Sequence, residues 1–550
     1  MFIEGRKDIL AGLIVAAIAF LLYANSLGNG FVWDDTNIIL TNPALLGSPF
    51  TLFKSIDVGR DYELLPYYRP LTLLTFLMEG RLYGFNPSMM HLINILLHTV
   101  NAFLVYRLAF LLIGNRYTAL LAGLLFALHP INTEAVDFIS GGRNTMLACF
   151  LILAAYLLHY RSVIRHNLFY GIAGALCFLA GMFSKEAAIV VLPFIIVQEI
   201  APLRGDVPRS KSRSVLRLSP YLAAAVCYLI MRWITLSHFG IQNAIIPGFG
   251  SDKLQSIYKI PELSVRLLDN LYIIPRYLLA VIWPAALSPR YMIPEDLKSI
   301  ALPLAAEWLC IIGILFWLFT RGRSRAALFG LAWLVAFYLP VSGIVWFPSA
   351  PMAERYIYIP AIGLWLITAD QAVRLFPSRE TARKIGVTAT ALFLIILAGL
   401  TARRNMDWQS DITLFTRFVK QYPDNFFAHA GLGEAYFNLD REDEQNLKMA
   451  EEEFEKVLAL RPILPPGVHT KLGYIRLARG DSEGAVYYYT IALGIYPLDK
   501  EALLNRGIAM ENLGRQEEAA ADFRRFLSVP GYELAEARPY AETRIRALTR

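Results

Sequence analysis

The sequence predicts an all-α protein in two parts: a polytopic bundle of membrane helices over residues 1–404, and a soluble α-solenoid over 405–550. Three observations predict it. The 550 residues are 56% hydrophobic, with a mean hydropathy of +0.44 and only 18% charged, more apolar surface than a soluble chain of this size needs. Apolar runs of the roughly 17–25 residues that a hydrocarbon core about 30 Å thick demands recur through the first part. After Arg403 those runs stop and a repeat with a period of 34 begins.

Eleven runs read as spans: about 9–27, 90–113, 117–130, 145–160, 167–183, 186–200, 217–236, 303–320, 326–346, 356–372 and 385–402. A twelfth apolar segment, 263–287, is interrupted by Pro275-Arg276 and Pro284. It reads as a re-entrant or interfacial helix, since breaks at membrane depth are tolerated where protein covers them. Arg6 and Lys7 put the N-terminus inside. Arg107/Arg116, Arg161/Arg165, the 204–217 cluster, Arg321/Arg323/Arg325 and Arg374/Arg379 then fall inside in turn, the positive-inside pattern. On this count the first loop, 28–88, and the C-terminus lie outside. The net charge of +7 is therefore topology, not a nucleic-acid footprint. The short loops and compact chain point to a bacterial inner membrane.

Residues 1–27 have the charge pattern of a signal peptide but no small-residue cleavage site, and read as an uncleaved first span. The four cysteines, Cys149, Cys177, Cys227 and Cys310, lie inside apolar runs without metal-site or disulfide spacing, as core hydrophobes do.

The repeat is of tetratricopeptide type. Gly473, Ala485, Tyr489, Ala492 and Pro497 recur as Gly507, Ala519, Phe523 and, one residue early, Pro530. An earlier copy has Gly433, Tyr436, Ala450, Phe454 and Pro462, with five extra residues between its helices, and a half copy, 415–423, precedes it. Small residues let the two helices of a hairpin touch, an aromatic fills the gap, and proline ends the second helix. Such arrays present a groove to a polypeptide partner; packing or oligomerisation is the alternative use.

Four stretches carry ionisable residues into turns that this topology places on the outer face. They are Trp33-Asp34-Asp35; His129-Pro130 through Glu134 to Arg143; Ser184-Lys185-Glu186; and Glu354-Arg355-Tyr356. Any one pair alone reads as an interfacial anchor, but such residues between apolar helices are costly and four together mark a site. The cations Arg143, Lys185 and Arg355 suit a lipid phosphate, and a carboxylate beside them suits deprotonation of a hydroxyl nucleophile. Glu134, Glu186, Glu354, His129, Arg69 and His91 are supporting candidates. His91, Asn94 and His98 share one helix face, where structural hydrogen bonding is the plainer reading. Two carboxylates are compatible with a divalent metal, but no further oxygen-ligand cluster supports one. No zinc motif, phosphate-binding glycine loop or nucleophile elbow is present.

These motifs resemble the multispanning GT-C glycosyltransferases, and within them the transmembrane and tetratricopeptide-repeat O-mannosyltransferases and their bacterial relatives. The likeness rests on residues 30–35, Tyr68-Arg69-Pro70-Leu71-Thr72, His129 through Val136 with Arg143, Ser184-Lys185-Glu186, and residues 354–360, followed by the repeats. It implies an inverting transferase that uses a polyprenyl-phosphate sugar, needs no soluble cofactor and works on the outer or lumenal side. Asp34 or Asp35 is then the base, and Arg143, Lys185 and Arg355 neutralise the departing phosphate. The acceptor it implies is a serine or threonine hydroxyl of an exported protein. A short repeat array, fewer copies than eukaryotic members carry, leaves a lipid or cell-envelope glycan as the alternative acceptor. A membrane scaffold without catalysis is the alternative of another class, and no pair of interrupted spans in matching halves signals a transporter.

Overall fold

The computed structural model describes residues 6–55, 67–200, 211–238, 262–294, 297–344, 350–375, 380–461, 466–529 and 537–548. Among them every regular element is helical. The chain forms two compact units, 1–410 and 411–550. The first extends past the expected boundary at 404 because Trp408 is fully buried in it.

The first unit begins with α1 (Arg6–Tyr23), followed after an irregular loop by α2 (Pro70–Tyr83) and α3 (Pro87–Ile113). Asn86 caps α3 by accepting the Met89 N–H at 3.2 Å, and Gly114 ends it in a left-handed conformation, φ 75°. Asn115 at once caps α4 (Arg116–Leu128), so α3 and α4 form a tight hairpin. After a break come α5 (Thr133–Asp137) and α6 (Ile139–Arg165), then α7 (Leu168–Ser184), α8 (Val191–Ile200) and α9 (Lys211–His238). The unit continues with α10 (Leu263–Ile282), α11 (Ala301–Thr320), α12 (Arg325–Tyr338), α13 (Glu354–Ile357), α14 (Ala361–Leu375) and α15 (Glu380–Asn405).

Six helical stretches are long and apolar enough to cross a membrane: Arg6–Gly28, Pro87–Ile113, Ile139–Arg165, Ser212–His238, Ala301–Thr320 and Glu380–Trp408. They make this a multi-pass unit. A seventh is α4 joined to Pro130–Asp137 across a 52° bend. The other four of the eleven expected runs fold as shorter helices of 17, 10, 14 and 15 residues: α7, α8, α12 and α14. The expected interruption of segment 263–287 is also absent at Pro275. Helix α10 runs through it to Ile282, and Arg266 and Asn270 face inward to the Gly343 and Ser342 carbonyls at 2.8 Å each. On α11, by contrast, Leu302, Leu309 and Phe316 are largely exposed, as lipid contact requires.

The bend after α4 has an identifiable construction. Pro130 ends the helix, the Thr401 hydroxyl donates to the Leu128 carbonyl at 2.7 Å, and the Asn132 amide donates to Phe126 at 2.7 Å. His129 accepts the Ile131 N–H at Nδ1, so its Nε2–H donates to the Val281 carbonyl at 2.8 Å. Gly142 then lets α5 lie against α6: a Cβ there would stand 1.8 Å from the Ala135 carbonyl oxygen.

The second unit holds α16 (Asp411–Gln421), three helix pairs and a terminal helix. The pairs are α17 (Phe426–Leu439) with α18 (Glu444–Leu460), α19 (Pro466–Ala478) with α20 (Ser482–Ile495), and α21 (Lys500–Asn512) with α22 (Gln516–Ser528); α23 (Arg538–Leu548) follows. The expected small-to-aromatic contacts are present. A Cβ on Gly433, Gly473 or Gly507 would fall 2.6–2.7 Å from the ring of Phe454, Tyr489 or Phe523 respectively. The extra residues of the first copy do not form a long loop. They mostly lengthen α18 to 17 residues, with Asp443 capping it by accepting the Gln445 N–H. Pro462, Pro530 and residues 204–210 lie outside the described residues.

Candidate active site

Asp34 and Asp35 follow a backbone anomaly: Trp33 is left-handed, φ 56°, a conformation that strains a bulky side chain. The strain is held from both sides. Asp35 N–H donates to the Val32 carbonyl at 3.1 Å, and Asp35 Oδ2 accepts the Val32 N–H at 3.1 Å. Asp35 Oδ1 accepts the Ser140 N–H at 2.7 Å, in the first turn of α6, so its charge also meets the helix dipole. This carboxylate is fully buried, and burial pushes its pKa up to about 7 against the lowering effect of those hydrogen bonds. Asp34 is partly exposed. Its charge acts on two guanidiniums, Arg355 and Arg290.

The four turns do meet. Helix α5, swung by the bend, presents Glu134 to Arg355; Glu134 accepts the Arg355 backbone N–H at 2.9 Å and pairs with its guanidinium. Burial works to lower the Arg355 pKa, but the Glu134 carboxylate outweighs it and holds the pKa above the ordinary value. Arg69 grips Glu186 with two hydrogen bonds, 3.1 and 2.8 Å. Burial would raise Glu186, yet the Arg69 guanidinium brings it down to about 2. Glu354 accepts from Arg404 at 3.1 Å and from the Tyr291 hydroxyl at 3.0 Å; burial raises it to about 7 in spite of Arg404.

Lys185 differs from these. It is 7% exposed, its ammonium donates to the Thr145 hydroxyl at 2.7 Å, and among the described residues it forms no ion pair. The Tyr356 ring lies 5.7 Å from it and 5.0 Å from the Arg355 guanidinium carbon. Burial first, then the Arg69 charge, brings its pKa down to about 7, although the Glu186 and Glu134 carboxylates act to raise it. A buried ammonium without an ion pair is costly.

Three expected residues have other surroundings. Arg143 is not in a loop but within α6, fully buried, where it pairs with Glu79 of α2 and donates to Asn94, Thr75 at 3.2 Å and the Met90 carbonyl at 3.1 Å. His129 holds the α4 bend. His91, from α3, reaches the Gly30 carbonyl with Nε2 at 3.3 Å and latches the acidic loop.

Sequence reasoning missed Arg290, Arg404 and Trp408. Arg290 is carried by the turn that Ser288 and Tyr291 tie to Glu354; Ser288 donates to the Arg290 carbonyl at 2.9 Å. Its signal was available: Ser288-Pro289-Arg290-Tyr291 is one more ionisable turn at the end of an apolar run.

The chain has named relatives. Residues 501–529 match the tetratricopeptide-repeat family. Over most of its length the chain is similar to proteins named protein O-mannosyl-transferase. It is 25% identical to TMTC3 of Homo sapiens, covering 90% of this chain and 61% of that protein. It is 26% identical to Tmtc1 of Drosophila melanogaster, covering 78% and 59%. It is 26% identical to TMTC1 of Homo sapiens, covering 90% and 56%. The chain thus spans a little over half the length of these relatives. The archaeal oligosaccharyltransferase AglB from Archaeoglobus fulgidus, solved with an inhibitory peptide and a dolichol-phosphate, is 13% identical. It covers 91% of this chain and 72% of that one, at a TM-score of 0.37, too slight a likeness to bear on the fold.

Proposed function

We propose that the chain is an inverting GT-C-type glycosyltransferase. It moves a hexose, mannose by analogy with the relatives' names, from a polyprenyl phosphate to a serine or threonine hydroxyl of an exported polypeptide. The observation that carries this reading is Lys185: a buried ammonium that forms no ion pair among the described residues, beside the Arg69–Glu186 and Arg355–Glu134 pairs, with the Asp34 charge acting on Arg355.

Asp34 is the base in this reading. Both oxygens of Asp35 are taken by backbone N–H groups and the group is sealed from solvent, whereas Asp34 is partly exposed. Asp34 takes the acceptor's hydroxyl proton as that oxygen attacks the anomeric carbon. The bond from that carbon to the phosphate oxygen breaks on the opposite face, which inverts configuration, and the phosphate leaves with the electron pair. Lys185, Arg355 and Arg290 receive the growing charge. A positioned base contributes about 10²–10⁴-fold, and each preorganised donor about 2.7–4 kcal/mol. Arg143, saturated by Glu79 and Asn94, is left out of the phosphate set and holds α2 to the bundle. The site faces the extracytoplasmic side, and the repeats bind polypeptide.

Purified full-length protein with polyprenyl-phosphate mannose and a serine/threonine-rich peptide should glycosylate the peptide. Asp34→Asn should lower the rate by about 10²–10⁴-fold at unchanged donor affinity. Full activity in Asp34→Asn would end this assignment of the base.

A further inference from the structure

The segment that leads out of the first unit is built into the acidic loop, and neither motif nor hydropathy marks it. The rings of Trp33, Phe138 and Trp408 form a continuous stack, with centroids 5.4 and 5.7 Å apart and planes tilted by 8° and 20°. Phe138 and Trp408 are buried, while Trp33 is partly exposed. The backbone joins at the same place: Gly30 N–H donates to the Gln409 carbonyl at 3.0 Å, and the Asn29 amide donates to the Asn405 carbonyl at 3.1 Å. The exit segment therefore binds the acidic loop through one ring stack and two hydrogen bonds.

A left-handed tryptophan persists only where its surroundings overdetermine it. Local bonds between Val32 and Asp35 close the turn, and the stack sets the face of the Trp33 ring against Phe138. Phe138 is the middle ring and the residue before α6, the helix whose first turn holds Asp35; Trp33 and Trp408 are the two ends. Removing the Trp408 ring opens a void against Phe138 and releases the platform on which Trp33 rests.

We propose that Trp408 is a positioning residue: through Phe138 it holds Trp33 in the strained conformation that aims Asp34 at its substrate. The proposal rests on the function given above. Because the exit segment continues directly into the repeats, the element that carries them is also the element that sets the base.

The test compares full-length Trp408→Ala and Trp408→Phe with the unaltered chain in lipid nanodiscs. Amide hydrogen exchange over residues 28–40 scores the loop without requiring activity. In Trp408→Ala that exchange should accelerate and kcat for sugar transfer should fall roughly 10–100-fold with donor KM within about twofold, since an angstrom of misplacement can cost about 10²-fold. Trp408→Phe, which keeps a ring in the stack, should restore most of both. Unchanged exchange in Trp408→Ala overturns the proposal, as does faster exchange with unaltered kcat. If the unaltered chain transfers no sugar, the transferase reading fails, and the exchange comparison still decides whether Trp408 holds the loop.

Discussion

Arg143 and Lys185 are both buried cations beside the same acidic turns, yet their surroundings are opposite. Arg143 has a carboxylate, an amide, a hydroxyl and a carbonyl around its guanidinium. Lys185 has one hydroxyl and an aromatic ring, forms no ion pair among the described residues, and feels the charges of Arg69, Glu186, Arg355 and Glu134. Saturation marks the first as a fastener between helices. The lack of an ion pair among the described residues is the ground on which the second is proposed as a place for an anion. Burial alone distinguishes nothing here; the count of partners does.

The comparison can be broken by exchanging the two roles. Arg143→Met should destabilise the first unit by about 3–5 kcal/mol, because Glu79 is left buried without its counter-charge. Thermal unfolding in nanodiscs measures it, and Arg143→Met combined with Glu79→Leu should recover most of the loss. Loss of transfer with an unaltered melting profile would instead place Arg143 in the site.

Lys185→Met should do the reverse: stability preserved, transfer reduced about 10²–10³-fold, as for loss of one preorganised donor. A melting point lowered as far as in Arg143→Met would erase the distinction. Next in size is Asp35→Asn. Its amide must turn an N–H toward Val32 or Ser140, leaving a buried donor unsatisfied at about 1–3 kcal/mol. Asp34→Asn, on a partly exposed side chain, should cost less.

The smallest effect sharpens the comparison. Lys185 is held at about 7, so it is charged below that pH and neutral above it. Affinity for a polyprenyl-phosphate sugar, a phosphodiester with a fixed charge in this range, should therefore be flat below pH 7 and weaken by up to about tenfold per unit as pH rises through it. Lys185→Arg should flatten that slope, since arginine stays protonated. A slope identical in both proteins would remove Lys185 from the anion site.

Much of this site was legible before folding was known. The turns with Asp34, Glu134, Lys185, Glu186, Glu354 and Arg355 stand out because ionisable residues between apolar runs are costly anywhere. The division of labour among them was not legible. Asp34 and Asp35 are neighbours of identical chemistry, and only the approach of Ser140, 105 positions away, separates them. Arg143 looked like Lys185 until Glu79 and Asn94 were seen around it. Arg290 gave a local signal that was passed over, while Trp408 gave none, because a ring stack leaves no pattern along the chain.

By itself the sequence determined what short-range physics controls: which stretches are apolar enough for lipid, where prolines and glycines end or join helices, and the small-residue and aromatic spacing that closes each repeat hairpin. Tertiary structure alone decided which apolar runs become long helices, which cation is saturated and which forms no ion pair among the described residues, and which aspartate is sealed. Those outcomes depend on groups tens to hundreds of residues apart reaching hydrogen-bond distance, and electrostatic energy inside a protein is set by such neighbours and by the exclusion of water, not by position along the chain.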